Sequence, residues 1–334
     1  MKESVCKICN HNRVVRLYPV RDYLTGHLFD LVRCNGCSFC FISPQPSPKE
    51  MGRYYPVFYY GDRRSFFEWV TCYLRVRRIE KGFGKKKSGR ILDVGCGKAR
   101  MLEMLKGKGW HVQGTEIGVR PVHEGKNSQG IDIHYGSLEE GQFSNGTFDV
   151  VTLWHVLEHL PNPRTTLREI RRILKADGLL ILSVPNYGSL QAKLAGPHWF
   201  HLDVPRHLFH FKPENLVDLL EQEGFQVGKM NRFSFEYDTF GFVQSILNLL
   251  SSRQNLLFDF LNHQWSFRRI LNADIDGGLG QTGLPINRKK FFIGSSLMFL
   301  LSVPLFLISL VFCPLDGILG YGGTIEVVAR KSPK

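Results

Sequence analysis

Two spacings in this chain could do chemistry: paired cysteines near its start, and a glycine-rich turn further along. Cys6-x-x-Cys9 and Cys34-x-x-Cys37 have zinc-ribbon spacing, with His11 and Cys40 close by. Two knuckles of paired thiolates can close a tetrahedral site around Zn²⁺, and such a site supplies folding energy to a segment too short for a core. With every ligand a protein thiolate, no position stays open for water or substrate, so the expected zinc is structural rather than catalytic. The second spacing is Ile91-Leu92-Asp93-Val94-Gly95-Cys96-Gly97-Lys98-Ala99, an apolar strand running into a turn and then a helix. A turn of bare backbone lets a ligand approach closely, and the helix N-terminus offers N–H groups there. Glu116 stands about where this topology presents a carboxylate to ribose hydroxyls. A dinucleotide would use a similar turn, but Ala99 and Arg100 follow Gly97, so the third dinucleotide glycine is missing. Asp93 also suits a cationic ligand group and would repel a pyrophosphate.

The elements that must position these residues alternate from Arg90 onward, which implies a parallel sheet with crossover helices. Strands are expected at Arg90 to Val94, His111 to Glu116, Ile131 to His134, Phe148 to Trp154, Leu179 to Val184 and Phe225 to Phe233. Helices are expected at Lys98 to Lys108, Val119 to Gln129, Pro163 to Leu174 and Pro213 to Glu223. The last of these has proline in its first turn and Gly224 just past its end. Upstream, Ser43-Pro44-Gln45-Pro46-Ser47-Pro48 ends the cysteine module, Tyr54, Tyr55, Phe58, Tyr59 and Tyr60 form an aromatic cluster, and Phe66 to Ile79 reads as a helix. Lys81 to Arg90 is a basic connector.

The strand, turn and helix from Ile91 to Ala99 resemble motif I of the class I S-adenosylmethionine-dependent methyltransferases, and the resemblance runs through most of Arg90 to Phe233. It implies a doubly wound, mostly parallel seven-stranded sheet; the cysteine spacing adds a small N-terminal zinc ribbon, and the late arrival of the candidate last strand, a departure from the family, adds a helical apolar insertion before it. It also implies S-adenosylmethionine as cofactor, contacted by Asp93, Gly95, Cys96 and Gly97, with Glu116 binding both ribose hydroxyls. Ser137 and Leu138, in Gly136-Ser137-Leu138-Glu139, fall where the family contacts adenine, although the family usually has an acid near the position of Ser137. The same resemblance places Trp154 and His155 beside the cofactor at the end of the fourth strand.

Methyl transfer is a displacement at a sulfonium-activated carbon, so the protein must align a nucleophile and, where needed, take its proton. A histidine suits the second task. Candidates are His155, His159, His198, His201, His207 and His210, with His155 and His207 favoured as base. For each one a structural hydrogen bond is the competing role. His155-x-x-Glu158-His159 also matches an inverted zinc-protease motif, but Pro161 and Pro163 cut the helix that such a site needs.

The chain has 334 residues, eight cysteines and a formal charge of +13, which favours an anionic partner. Its first residues carry no apolar run of the secretory kind, so a cytoplasmic location with reduced thiols is expected. The expected division is a zinc-ribbon-like module over 1–48, a connector over 49–89, a methyltransferase domain over 90–235 and 323–332, and an apolar insertion over 236–322. Within the insertion, Phe291 to Phe312 carries no charge and follows Arg288-Lys289-Lys290. Because Gly323 to Lys331 is expected to rejoin the sheet, a single crossing of a membrane is excluded. Pro304 should break the helix, so a re-entrant or interfacial hairpin on the cytoplasmic membrane face is expected. A helical dimer interface or buried core addition is the alternative. The expected activity is methylation of a membrane-associated small-molecule, glycan or lipid-linked acceptor. A nucleic-acid methyltransferase, which the apolar insertion disfavours, and a non-catalytic membrane-tethered binding module are the rivals.

Overall fold

The computed structural model describes residues 5–55, 66–84, 88–117, 130–251, 254–263 and 288–332. The expected helix over Val119 to Gln129 and residues Phe58 to Tyr60 of the aromatic cluster lie outside them. The chain divides into two units, one of Met1–Arg63, Pro185–Lys212 and Arg232–Thr324, the other of Arg64–Val184, Pro213–Asn231 and Ile325–Lys334.

The second unit is built on a seven-stranded sheet. Its strands are β4 (Arg90–Val94), β5 (His111–Glu116), β6 (Asp132–Tyr135), β7 (Phe148–Trp154), β8 (Leu174–Pro185), β10 (Phe225–Asn231) and β11 (Thr324–Lys331), in the order β10-β11-β8-β7-β4-β5-β6. Pairings from β6 through β5, β4 and β7 to β8 are parallel, whereas β10 and β11 pair antiparallel. Every residue of β7 is buried, as a central strand covered on both faces requires. The flanking helices are α2 (Phe66–Phe83), α3 (Arg100–Lys106), α4 (Pro163–Ile173) and α6 (Pro213–Gln222). Cys72, Val76 and Ile79 of α2 share one apolar cluster with Met101, Leu102 and Leu105 of α3 and with Ile91, Val150 and Ile181 of the sheet. Helix α4 starts on Pro163 and buries Leu167, Ile170 and Ile173, the spacing of one helix face.

The first unit contains a four-stranded sheet in the order β1 (Val14–Arg21), β2 (Leu28–Cys34), β3 (Cys40–Ser43) and β9 (Phe209–His210). The fourth strand comes from the segment after β8, so the cysteine module and the histidine-rich segment share one hydrogen-bonded ladder, with Cys40 opposite His210 and Phe41 opposite Phe209. Its helices are α1 (Pro48–Met51), α5 (Leu190–Ala195), α7 (Phe235–Leu250), α8 (Leu256–His263) and α9 (Arg288–Ile318). Pro304 does not break α9, contrary to expectation: it sits inside one continuous helix together with Pro314. Pro304 is exposed, while Met298 and Cys313 on either side of it are buried in the cluster that α7 and α8 contribute to. Packing on the inner face thus outweighs the one lost hydrogen bond.

Candidate functional site

The sheet brings most of the expected cofactor residues to the carboxyl ends of β4, β5 and β7, three strands that are neighbours or flank one another through β4. In open sheets of this kind, ligands gather there. At the turn after β4, Gly95 has φ +70° and Gly97 φ +52°. A Cβ on Gly95 would stand 2.6 Å from Val156 Cγ2, so only glycine fits this bend. The Gly95 and Cys96 N–H groups donate to Thr115 O at 2.8 and 3.0 Å, which ties the turn to β5. Gly97 N–H donates to Glu116 Oε2 at 2.8 Å, so the turn also orients the carboxylate that ends β5. The Cys96 thiol fills the space over Gly114, where a Cβ would come within 2.5 Å of its sulfur. Burial pushes that thiol's pKa up, with Asp93 and Glu116 adding to the effect. Cys96 therefore stays a neutral packing group at this site.

Asp93 is buried and accepts a hydrogen bond from Thr152 Oγ1 at 2.6 Å. Desolvation pushes its carboxyl up to about 7, against the Thr152 hydrogen bond and the nearby Arg75 charge, while Glu116 adds to the rise. A carboxyl held at this point gains most from a cation. Beside it, Trp154 ends β7 with Arg75 Cζ 5.0 Å from its ring centroid, a cation–π contact. The Trp154 Nε1 is buried without a hydrogen-bond partner. An orphaned donor of this kind marks a place where a polar ligand atom or water belongs.

His155 follows at φ +55°, a conformation that ordinary residues rarely adopt and that tends to cluster at functional sites. Its Nε2 is hydrogen-bonded to Ser183 Oγ at 3.2 Å and its Nδ1 lies 3.5 Å from Glu158 Oε1. Burial, then the Arg75 and His159 charges, holds its pKa well below the ordinary histidine value, so its ring is neutral. After β6, Ser137 N–H donates to Glu140 Oε2 at 2.7 Å and Leu138 is buried. That bond holds the Glu140 pKa below the ordinary carboxylate value.

His207 lies in the other unit, buried, with Nδ1 2.8 Å from His201 O. In the same segment the His210 Nε2 is buried without a hydrogen-bond partner, and burial pushes its pKa down to about 3. Sequence reasoning missed Arg75 and Glu140. Helix α2 carries Arg75, Arg77 and Arg78, and nothing in their spacing marks the one that stacks on Trp154. Glu140 could have been found as the acid three residues after Ser137, the separation of a capping box.

The groups at the strand ends fit S-adenosylmethionine by charge and space. Open space at Gly97, where an added Cβ would meet nothing within 4 Å, admits it, Asp93 and Glu116 suit its cationic and hydroxyl groups, and Arg75 suits its carboxylate. The four thiolates fit Zn²⁺. Cys6 Sγ is 3.6 Å from Cys37 Sγ and Cys9 Sγ is 3.5 Å from Cys34 Sγ, and all four sulfurs lie within 4.8 Å of one another. Sulfurs about 2.3 Å from a tetrahedral zinc stand roughly 3.8 Å apart. The two knuckles also repeat one backbone design. Asn10 N–H donates to Cys6 O at 2.7 Å and Ser38 N–H to Cys34 O at 3.0 Å, with Asn10 and Ser38 both at φ 59°.

A family profile described as a methyltransferase domain matches residues 66–229. The ubiquinone biosynthesis O-methyltransferase of Aromatoleum aromaticum is 27% identical over 174 residues, covering 48% of this chain and 74% of that enzyme. The enzyme of the same name from Aeromonas salmonicida is 33% identical over 161 residues, covering 45% of this chain and 66% of its own length. Among solved structures, the [4+2]-cyclase SpnF superposes with a TM-score of 0.50 at 16% identity, covering 87% of this chain and 98% of that one, a likeness of fold alone. The profile leaves out the cysteine module and helices α7 to α9, so these are the parts in which this chain goes beyond the matched domain. By its glycine turn, its seven-stranded sheet and these relatives, the chain belongs to the class I S-adenosylmethionine-dependent methyltransferases.

Proposed function

We propose that this protein methylates a small acceptor carried at a membrane surface, such as a quinone-like head group or a lipid-linked glycan. The observation that carries the methyl-transfer part is the buried Asp93 carboxyl beside the Gly95 turn, facing a charge pattern that suits a sulfonium amino acid. The relatives named for ubiquinone biosynthesis support an acceptor hydroxyl on a lipophilic ring, and the exposed apolar residues of α9 support a membrane setting.

S-adenosylmethionine, when bound, supplies an electrophilic methyl group on a positively charged sulfur. Asp93 would attract the cationic amino-acid portion, Arg75 would hold its carboxylate, and Glu116 would take both ribose hydroxyls. The backbone at Gly95, Cys96 and Gly97 would lie along the cofactor, with Ser137 and Leu138 near its base and Trp154 beside it. The acceptor's oxygen would form the new bond to carbon as the carbon–sulfur bond breaks, and its proton would pass to a base. His155 or His207 would take it. The neutral ring of His155 is in the correct form to do so. Cys6, Cys9, Cys34 and Cys37 would hold a structural Zn²⁺, and residues 90–235 with 323–332 would make up the methyltransferase domain.

Incubating the zinc-replete protein with methyl-labelled S-adenosylmethionine and total lipid or glycan extract tests this function. Label should enter the extract and be lost with Gly95→Arg, which crowds Val156. If cofactor binds tightly yet no extract takes label, the non-catalytic binding module is the correct description.

A further inference from the structure

Helix α9 is built inside out. Between Leu300 and Ile318 its exposed positions are Leu300, Val303, Pro304, Leu307, Ile308, Val311, Leu315 and Ile318, all apolar. At about 100° per residue these fall on one face, and the stripe runs roughly 27 Å along the helix. The polar residues of the same stretch turn the other way: Ser309 and Asp316 are buried. Leu300 is 73% exposed, Leu307 60% and Ile318 81%. An uninterrupted stripe of this length on a water-facing surface marks an interaction site.

Both ends of the stripe are fastened to the same unit. Near its start, Phe299 packs edge-on against Phe260 of α8, with ring centroids 4.5 Å apart. Further along, Phe312 meets Phe242 of α7 at 5.0 Å. Beyond the helix, Arg232 Nη1 donates to Gly320 O at 3.0 Å. A helix held along its length against α7 and α8 presents one side only, which is the arrangement of a helix lying in an interface rather than one crossing it.

Charge selects the occupant. The chain carries +13, and α9 opens on Arg288, Lys289 and Lys290. At the other end Lys193 Nζ sits 5.1 Å from the ring centroid of Tyr321, itself exposed beside Leu319, and Leu194 is exposed next to Lys193. Tyrosine and lysine bordering an apolar surface are the groups that settle at the level of lipid head groups. We propose that the outward face of α9 docks in the plane of one leaflet of an anionic phospholipid bilayer, with Lys193 and Tyr321 at its edge. This inference deepens the proposed function, since it names the surface on which the acceptor is met, but lipid docking is measured without acceptor or methyl transfer.

The test is flotation of the full-length protein with vesicles of phosphatidylcholine, alone or with about a third phosphatidylglycerol. The protein should float with the anionic vesicles and partition several-fold less onto neutral ones. The triple variant Val303→Glu, Leu307→Glu and Val311→Glu should lose at least about tenfold in partitioning while keeping its calorimetric affinity for S-adenosylmethionine. That retained affinity separates failure of docking from failure of the methyltransferase reading or of the fold. Leu307→Trp should be quenched by bromines near the head groups more than by bromines at the chain ends; the reverse order would mean a crossing helix and overturn in-plane docking. Absence of flotation, or equal binding to neutral vesicles, overturns the proposal. So does a dimer in sedimentation that the triple variant dissolves while no vesicle binds, because the face would then belong to a second copy.

Discussion

The two units differ most in what they leave on the outside. In the unit carrying the seven-stranded sheet, apolar side chains fill the interior, and charged groups such as Asp93, Glu116 and Arg75 collect at the strand ends. In the unit carrying the cysteine knuckles, ionic and amide groups are buried beside its apolar clusters. Arg206 is fully buried between Asp22 at 2.9 Å and Asp203 at 2.7 Å. Asp238 accepts from Gly323 N–H at 2.9 Å and Thr324 Oγ1 at 2.5 Å, and Gln244, Asn248 and Asn255 form a chain of amide hydrogen bonds. Its surplus of apolar side chains is on the outside, along α9. Apolar burial is non-directional and can hold a sheet together by area, whereas buried ionic and amide groups hold only through directed contacts. Such contacts fail singly when one partner is removed.

Losing the metal site should therefore test this contrast most severely. Cys34→Ser, or chelation, should remove zinc measured by elemental mass spectrometry and lower the first thermal transition by at least about 10 °C. Affinity for S-adenosylmethionine should change by less than about twofold, because local units can open separately. A collapse of cofactor affinity along with zinc would show that the two units are not stabilised independently.

Next in size is Arg206→Met, which takes from the buried Asp22 carboxylate its cationic partner. The expected cost is about 3–5 kcal/mol in urea unfolding, the range for breaking a buried pair from one side. If the loss were only that of an exposed ion pair, the inward polar contacts would not be what holds this unit.

The smallest effect belongs to Asp93. Burial raises its folded-state pKa from 3.8 to about 7, so in that window the folded protein binds the proton more tightly than the unfolded chain does. Its contribution to stability is present below pH 4 and is lost as pH rises toward 7. Asp238, also pushed to about 7 by burial, moves stability in the same direction, so ligand affinity is the sharper measure. A cationic ligand favours the carboxylate, and affinity for S-adenosylmethionine should tighten by up to about tenfold as pH rises through 7. Asp93→Asn should abolish that pH dependence in calorimetry. A persistent slope would assign it to another group.

Much of the molecule was legible in the chain itself. Strands β4, β5 and β7 have the expected limits, and β7, buried at every residue, announces itself most plainly as a short, largely apolar run. The cysteine pairs and the Gly95 turn were legible because their geometry is local, set within four or five residues. Other features need partners far away in sequence. Nothing local indicates that Phe209 and His210 complete the ladder of the cysteine module, that Thr152 holds Asp93, that Arg75 rather than Arg77 covers Trp154, or that Arg206 pairs with Asp22. The continuity of α9 through Pro304 belongs with these, since a local rule predicted a break and packing against α7 and α8 prevented it. Local spacing thus determined which backbone shapes could form and which ligand chemistry they suit. Tertiary structure decided which side chains meet, because a contact between distant residues depends on how whole elements pack and leaves no periodic trace in either segment.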